Sequence, residues 1–109
     1  MATFLKTKVV NNIGTTPVDV IQTVENNRYT IIGCNVANIT EDNVTLDIFV
    51  VDGTSTAGYY VKGIIIPPNN SLKVVTNGEK LVLGPQCGLR MQADVDASLD
   101  IVISYVEIV

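Results

Sequence analysis

The chain has 109 residues, 47% of them hydrophobic, so it is long enough for one domain with a buried core and too short for two. Eleven acidic against seven basic residues give a net charge of −4, which argues against direct binding to nucleic acid. No apolar run is long enough to cross a membrane, and residues 1–12 lack the continuous apolar segment of a secretory signal. We therefore expect one folded domain over residues 1–109, with no signal peptide and no membrane partner.

Apolar and polar residues alternate along most of the chain, and Gly, Pro, Asn and Asp interrupt the alternation about every ten residues. This pattern predicts strands joined by turns rather than helices. In the first half of the chain the predicted strands cover residues 3–11, 18–24, 29–38 and 44–51. The alternate residues from Val44 to Val50 are all apolar, which places the fourth strand near the centre of a sheet.

The fifth predicted strand, residues 59–66, must end before the proline pair at 67–68, because proline has no N–H for a ladder hydrogen bond. The asparagine pair that follows tolerates tight turns, so the segment P-P-N-N-S predicts a connection to a strand that resumes at Leu72. Asn77-Gly78 is typical of a type I′ turn and predicts a hairpin that joins Val75 to residues 80–83.

Two further strands, residues 89–93 and 99–108, complete the pattern. The residues predicted to face the core are the apolar members of each alternation: Leu89, Met91 and Ala93 in the first, and Leu99, Ile101, Ile103 and Tyr105 in the second. Eight or nine short strands predict an all-β fold, a single two-layer antiparallel β-sandwich of jelly-roll or immunoglobulin-like type.

The chain contains no histidine, which removes the commonest general base, the Ser-His and Cys-His dyads and the commonest transition-metal ligand. The candidate acidic residues fall on predicted outward faces and in turns, where carboxylates are solvated: Asp47, Asp52, Asp94, Asp96 and Asp100. We therefore expect no catalytic residues and no enzyme activity.

The segment D-V-D-A-S-L-D, residues 94–100, has acidic residues at spaced positions, as calcium loops do. The sixth and twelfth positions of a helix-loop-helix calcium loop are Gly and Glu, however, and Leu99 and Tyr105 occupy them here. A polar turn is the interpretation we adopt. Gly53 and Gly58 lack the Lys and the following helix of a phosphate-binding loop, so we expect neither a metal nor a cofactor.

The two cysteines are Cys34, in the third predicted strand, and Cys87, in the turn G-P-Q-C-G. An immunoglobulin-type bridge between the sheets is one interpretation of the pair. Such a bridge has no Trp to pack on it here, and the chain has no signal sequence, so two buried free thiols are the interpretation we favour.

Several strands carry apolar residues on both faces, although a two-layer sandwich buries only one face of each sheet. We expect a second subunit to cover the outer apolar residues. The alternatives are that loops of the same chain cover them or that they are exposed to solvent. The candidate interface residues are Phe4, Phe49, Val51, Ile64, Ile66, Val102, Val106 and Ile108. They predict a homo-oligomer, with a trimer among the arrangements allowed.

Three segments of the chain carry a family resemblance. They are T-V-E-N-N-R-Y-T-I-I-G-C-N-V-A-N-I-T from Thr23, K-G-I-I-I-P-P-N-N-S-L from Lys62, and G-E-K-L-V-L-G-P-Q-C-G-L-R-M-Q-A-D from Gly78 with the ending S-L-D-I-V-I-S-Y-V-E-I. Together they resemble the small β-sandwich virion proteins of tailed bacteriophages, a loose group of capsid cement or decoration proteins and neck or tail accessory proteins. Glu25 stands where that pattern has proline, and residues 86–88 replace its G-D turn.

The resemblance implies a non-enzymatic virion structural protein, and first of all a capsid cement or decoration subunit that oligomerises and stabilises the shell. Its partners would be copies of itself and the phage major capsid protein, or neck and tail proteins. It would be made in the host cytoplasm and located in the virion. A neck or tail accessory role is the first alternative, and a sugar-binding module is the second.

The sugar-binding alternative would use the tyrosine pair next to the longest predicted loop, Tyr59 and Tyr60. An exposed aromatic ring can stack on a sugar ring. Neighbouring residues of a strand face opposite ways, so at least one of the two is expected in the core. With six aromatic residues in all and no Trp, the chain offers little else for such a site.

Overall fold

The computed structural model describes residues 2–54, 56–75 and 80–109, which form nine β-strands. In chain order these are β1 (Thr3–Ile13), β2 (Val18–Gln22), β3 (Arg28–Asn38), β4 (Val44–Val51), β5 (Ala57–Ile66), β6 (Ser71–Val75), β7 (Leu81–Leu83), β8 (Gly88–Ala93) and β9 (Leu99–Ile108). The all-β prediction is confirmed, and the predicted bounds of β4 and β9 agree with the structure at both ends. No helix that could span a bilayer occurs in the described ranges.

The strands form two antiparallel sheets packed face to face. Sheet A has the order β1-β9-β3-β6, with β7 also paired to β3, and sheet B has the order β2-β8-β4-β5. The first strand pairs with the last, the second with the eighth, the third with the sixth and seventh, and the fourth with the fifth. These nested pairs describe one long hairpin rolled into two layers, so the strand order supports the jelly-roll form of the predicted sandwich.

β6 and β7 lie end to end along the same edge of β3. β6 pairs antiparallel with the C-terminal half of β3, and β7 pairs antiparallel with residues 29–31 near its start. Two strands antiparallel to the same strand run in the same direction, so β6 and β7 are one interrupted strand and not two arms of a hairpin. The hairpin predicted from Asn77-Gly78 is therefore wrong for these strands. The turn residues themselves, 76–79, lie outside the described residues.

Pairing with β3 explains why the local turn signal does not decide the arrangement. Val75 at the end of β6 and Leu83 at the end of β7 are both buried against the core. A hairpin between the two strands would give up this burial, which is worth about 1.5–3 kcal/mol for a fully buried aliphatic side chain.

The core lies between the two sheets and consists of the inward members of each alternation. The predicted core residues of β8 and β9 are all buried: Leu89, Met91, Ala93, Leu99, Ile101, Ile103 and Tyr105. In β4, the residues Val44, Leu46 and Ile48 are buried as predicted, and Val50 packs partly against the core. One face of each central strand is thus removed from water, which is the main favourable contribution to folding.

A bulge interrupts β5 opposite Asp47 of β4. The register of the β4–β5 ladder shifts here, so that Lys62 and Gly63 together face Asp47. Gly63 has a φ of 68°, in the left-handed region that favours glycine, and its N–H donates to Asp47 Oδ1 at 2.7 Å. The glycine permits the bulge, and the carboxylate of Asp47 satisfies its backbone donor.

The extra residue reverses the faces of the residues that follow it. Ile66 is buried with 1% of its surface exposed, Ile64 packs partly against the core, and Ile65 points outward with 61% exposed. The prediction that Ile64 and Ile66 belong to an exposed interface is therefore wrong. Strict alternation counted from Val61 would place both outside, but the bulge moves them one position and turns them inward.

The connection from β5 to β6 carries the chain from sheet B to sheet A, as P-P-N-N-S predicts for the end of one strand and the start of the next. Asn69 adopts a φ of 56°, and the N–H of Asn70 donates to the carbonyl of Pro67 at 3.3 Å. Asparagine tolerates this left-handed conformation better than most residues do.

The buried side chain of Asn38, at the end of β3, fastens this connection from within. Its Nδ2 donates to three backbone carbonyls, those of Asp42 at 2.8 Å, Ile66 at 2.9 Å and Pro67 at 3.2 Å. Its Oδ1 accepts from the N–H of Thr40 at 2.9 Å. One amide thus joins the turn after β3 to the turn after β5.

Both cysteines are free thiols, Cys34 buried in β3 and Cys87 half-buried before β8. Burial raises the pKa of the Cys34 thiol to about 12. The structure therefore agrees with the interpretation of free thiols and differs from it in the partial exposure of Cys87.

We expect the two thiols to differ in reactivity, because the thiolate is the nucleophile, and burial both raises the pKa of Cys34 and shields it, whereas Cys87 is only half-buried. A maleimide should label Cys87 in the native protein and Cys34 only after denaturation. Intact mass spectrometry without reductant should give the fully reduced mass. A mass lower by two hydrogens would reveal a disulfide and contradict this prediction.

Candidate assembly surface

The outer face of sheet A carries an apolar row that crosses four strands. Leu5 of β1 lies directly opposite Val106 of β9, Val106 lies opposite Thr30 of β3, and Thr30 lies opposite Val82 of β7. Neighbouring strands are about 4.8 Å apart, so the row spans about 14 Å. Three of its four members are aliphatic, although the inner face of the same sheet already forms the core.

A second apolar pair lies four residues further along β1 and β9, where Val9 faces Val102. The exposed fraction is 80% for Leu5, 64% for both Val9 and Val82, and 42% for Val102. We call the five residues Leu5, Val9, Val82, Val102 and Val106 the outer patch. In an isolated subunit most of the outer patch is in contact with water.

An open depression of about 580 Å³ adjoins the outer patch. It is lined by Gly33, Cys34, Asn35, Lys73, Val75, Val102 and Ser104. Small-molecule sites usually enclose most of their ligand, whereas this depression is open and mixes polar with apolar groups.

The eight predicted interface residues do not form one surface. Val102, Val106 and Ile108 share the outer face of sheet A with the outer patch, and Phe49 and Val51 lie on the outer face of sheet B. Phe4 lies on the face of β1 opposite to Leu5. Ile64 and Ile66 face the core, as described above. The parity of the strand registers fixes each of these placements.

Leu5, Val9 and Val82 belong to the outer patch but are absent from the sequence prediction. Leu5 and Val9 share a face with Thr3 and Thr7 by simple alternation, so a signal was present. The alternation alone does not say which face of β1 continues the outer face of β9. That information comes from the pairing of β1 with β9, strands at opposite ends of the chain.

The outer face of sheet B carries a polar and aromatic row across its four strands. Asp19, Arg90, Phe49 and Tyr59 face one another in turn along the row. Arg90 Nε donates to Asp19 Oδ1 at 2.6 Å, and the ring centroids of Phe49 and Tyr59 are 4.7 Å apart. The Lys62 ammonium lies 4.4 Å from the centroid of the Tyr59 ring. The Tyr59 side chain is thus held by contacts within the sheet.

Tyr60 packs partly against the core, in agreement with the prediction that one of the two tyrosines is inward. Tyr59 is the exposed member, but its ring is engaged by Phe49 and Lys62. A sugar that stacks on Tyr59 would have to displace the lysine or use what remains of the ring.

The acidic residues considered as calcium-binding groups each accept a hydrogen bond from a different part of the chain. Asp94 accepts from the Thr45 N–H at 2.8 Å, Asp96 from the Thr15 hydroxyl at 3.0 Å, and Asp100 from the Asn12 N–H at 3.0 Å. Hydrogen bonds from Thr54 and Thr56 lower the pKa of the Asp52 carboxyl. In the ranges that the structure describes, no three His, Cys, Asp or Glu side chains converge. These carboxylates hold turns and strand ends in place.

A polar cluster lies where the start of β1 pairs with the end of β9. The Glu107 carboxylate forms an ion pair with Lys6 Nζ at 2.7 Å and accepts from Asn27 Nδ2 at 3.0 Å. Hydrogen bonds from Lys6, first, and from Asn27 lower the pKa of the Glu107 carboxyl, and the same carboxylate raises the pKa of Lys6. The cluster ties β1 to β9 and to the turn before β3.

We expect this cluster to stabilise the fold above about pH 4.5 and to lose its effect in acid. A carboxyl whose pKa is lowered on folding contributes stability above its unfolded pKa, and the contribution disappears as the pH falls through the folded value. The melting temperature of wild type should therefore exceed that of Glu107→Gln near pH 6. The difference should shrink as the pH is lowered below 4.5. A difference that stays constant down to pH 3 would contradict the assignment.

Comparison with known proteins finds solved structures with a similar fold. No protein-family model matches the sequence, and no curated protein is detectably similar to it. A chain from the Bacillus endospore appendages, a family of disulfide-linked pili, has a TM-score of 0.59 at 9% identity over 96% of this chain and 86% of that chain. A chain from the T13 particle of infectious bursal disease virus has a TM-score of 0.55 at 6% identity.

The viral match covers 96% of this chain but 30% of the viral chain. At identities this low the likeness shows a shared fold. The two neighbours are thus a pilus component and a viral-particle component with the same β-sandwich architecture.

Proposed function

We propose that the protein is a non-enzymatic structural subunit of a tailed-phage virion, and specifically a capsid cement or decoration protein that docks on the shell. The main observation that supports this proposal is the exposed outer patch. Its residues lie on the outer face of a sheet whose inner face is already in the core, so they have no cover within the described chain. Grouped apolar residues of this kind mark protein interaction sites.

Two further observations support a structural role. The three quoted segments resemble small virion proteins of tailed phages, and the jelly-roll sandwich is a common architecture of viral capsid domains. The structural neighbours come from a pilus and a viral particle, both of which are repetitive assemblies. Asp94, Asp96 and Asp100, by contrast, accept hydrogen bonds from other parts of the chain.

The proposed mechanism is stabilisation by binding. A subunit that binds the assembled shell, and not its separated capsid proteins, stabilises the assembly by RT ln(1 + [L]/Kd) for each site, or about 2.7 kcal/mol at a hundredfold excess over Kd. Burial of the outer patch against the major capsid protein would provide that affinity. The partners are therefore the capsid lattice and further copies of this chain.

The test is binding to purified empty shells by co-sedimentation. Wild type should bind and raise the temperature at which shells break, whereas the double variant Val82→Lys, Val102→Lys should bind at least tenfold more weakly, since two buried ammonium groups lose hydration. Ile65→Lys is the matched control, because Ile65 is 61% exposed on the opposite sheet. If Ile65→Lys abolishes binding and the double variant binds normally, the shell-binding surface lies on sheet B.

The same experiment separates the two alternatives. If wild type does not bind shells but binds purified necks or tails through the outer patch, the protein has a neck or tail accessory role. Wild type that binds none of them but retains a glycan on an array, with loss on Tyr59→Ala, is a sugar-binding module, and the structural proposal fails.

A further inference from the structure

β1 forms one edge of sheet A, and half of its backbone groups point away from the sheet. Ala2 and Val109 exchange two hydrogen bonds, of 3.1 and 2.9 Å, so even-numbered residues of β1 bond to β9. The register runs without a shift through residues 3–10. The residues whose N–H and C=O groups point outward are therefore Thr3, Leu5, Thr7 and Val9.

The length and exposure of β1 set it apart from the opposite edge of the sheet. β1 has 11 residues, whereas β6 and β7 at the other edge have five and three. Residues 3–9 of β1 are exposed throughout, and no strand of the described residues pairs with their outer edge. Short edge strands limit unwanted pairing, and a long edge with outward donors and acceptors is a template for another strand.

We infer that the outer edge of β1 pairs antiparallel with the same edge of a second copy, around a two-fold axis at Leu5, and joins the two A sheets into one. Leu5 then lies opposite the partner's Leu5, and Thr3 opposite the partner's Thr7. These pairs exchange about six backbone hydrogen bonds, which satisfy the outward groups.

The charges on the other face of β1 favour this register over those with the axis at Lys6 or Thr7. An axis at Lys6 would place Lys6 against itself, and an axis at Thr7 would place Lys6 against Lys8, so like charges would repel in both. With the axis at Leu5, Lys6 lies opposite Phe4 and Lys8 opposite Ala2. Lys6 Nζ is already 5.9 Å from the Phe4 ring within one chain, and the same kind of contact would form between chains.

The pairing also unites the two outer patches. Leu5 belongs to the outer patch and would sit on the two-fold axis, so the apolar rows of the two subunits would become one row across the joined sheet. The inference goes beyond the proposed docking role and does not rest on it, since it follows from the edge of β1 alone.

Cysteine trapping tests the register. In a Cys87→Ser background, Leu5→Cys should form a covalent dimer on mild oxidation, because directly opposite Cα atoms are about 5.5 Å apart, within disulfide range. Thr7→Cys is the matched control on the same edge and face. Two Thr7 positions would be offset by about 13 Å along the strands and should not cross-link. Cross-linking of Thr7→Cys without Leu5→Cys would overturn the register.

Proline substitution tests the edge itself. The Thr7 N–H points outward, so Thr7→Pro should leave the β1–β9 ladder intact and raise the dimer dissociation constant at least tenfold in sedimentation equilibrium. Lys6→Pro is the control that removes a bond to β9 and should lower the melting temperature. Wild type that stays monomeric at several hundred micromolar, or a Thr7→Pro dimer as tight as wild type, would overturn the pairing. If monomeric Thr7→Pro still binds shells, docking on the shell does not depend on the pairing of β1 between subunits.

Discussion

Replacement of Ile103 by Asp should unfold the protein or lower its free energy of unfolding by several kcal/mol. Ile103 is 0% exposed, and its strand pairs with β1 on one side and β3 on the other. A carboxylate at this position would be buried among apolar core side chains, so it must either lose its hydration or take up a proton. A domain whose total stability is about 5–15 kcal/mol has little margin for that cost.

Val102→Asp is the matched control, because Val102 is the next residue of the same strand and faces outward. It should change the free energy of unfolding by about 1 kcal/mol or less, mostly through lower strand propensity. Urea denaturation followed by circular dichroism measures both variants. Cooperative unfolding of Ile103→Asp near the wild-type midpoint would show that β9 is placed with the wrong face inward.

Asn38→Asp should cost about 3 kcal/mol or more, although the two side chains have nearly the same volume. The Asn38 amide group donates to three carbonyls, and a carboxylate oxygen in its place would be repelled by all three. A buried acceptor that loses its donor costs about 1–3 kcal/mol. The change would loosen the turns that follow β3 and β5 together.

Asn70→Asp provides the comparison for this prediction. Asn70 lies in the same connection and donates from Nδ2 to one carbonyl, that of Pro68 at 3.0 Å, in an exposed position. Its replacement should change the free energy of unfolding by about 0.5 kcal/mol. Equal effects of the two substitutions in thermal melts would show that the Asn38 network does not stabilise the connection.

The strands that bury one face could be predicted from the sequence almost to the residue. In β4, β8 and β9 a shift of one position would expose every core residue, and the structure turns all the predicted residues inward, with Val50 of β4 only partly buried. The turn at residues 67–70 could be predicted for a similar reason, since proline and asparagine act on the backbone locally.

The remaining features depend on contacts between distant parts of the chain. The bulge at Gly63 became recognisable once Asp47 was placed opposite it, and without the bulge Ile64 and Ile66 were assigned to the wrong face. β6 and β7 share β3 as a partner, which the Asn-Gly signal between them does not reveal. The outer patch likewise requires the pairing of β1 with β9.

The pairing of the first strand with the ninth also governs when the molecule can fold. Of the nine described strands β1 is synthesised first, and its partner in sheet A, β9, is synthesised last. Chains dominated by such distant pairings fold in milliseconds to seconds, much more slowly than helical bundles. Until β9 has emerged, β1 therefore lacks its partner in sheet A, and unpaired strand edges of this kind make partly folded chains prone to aggregation.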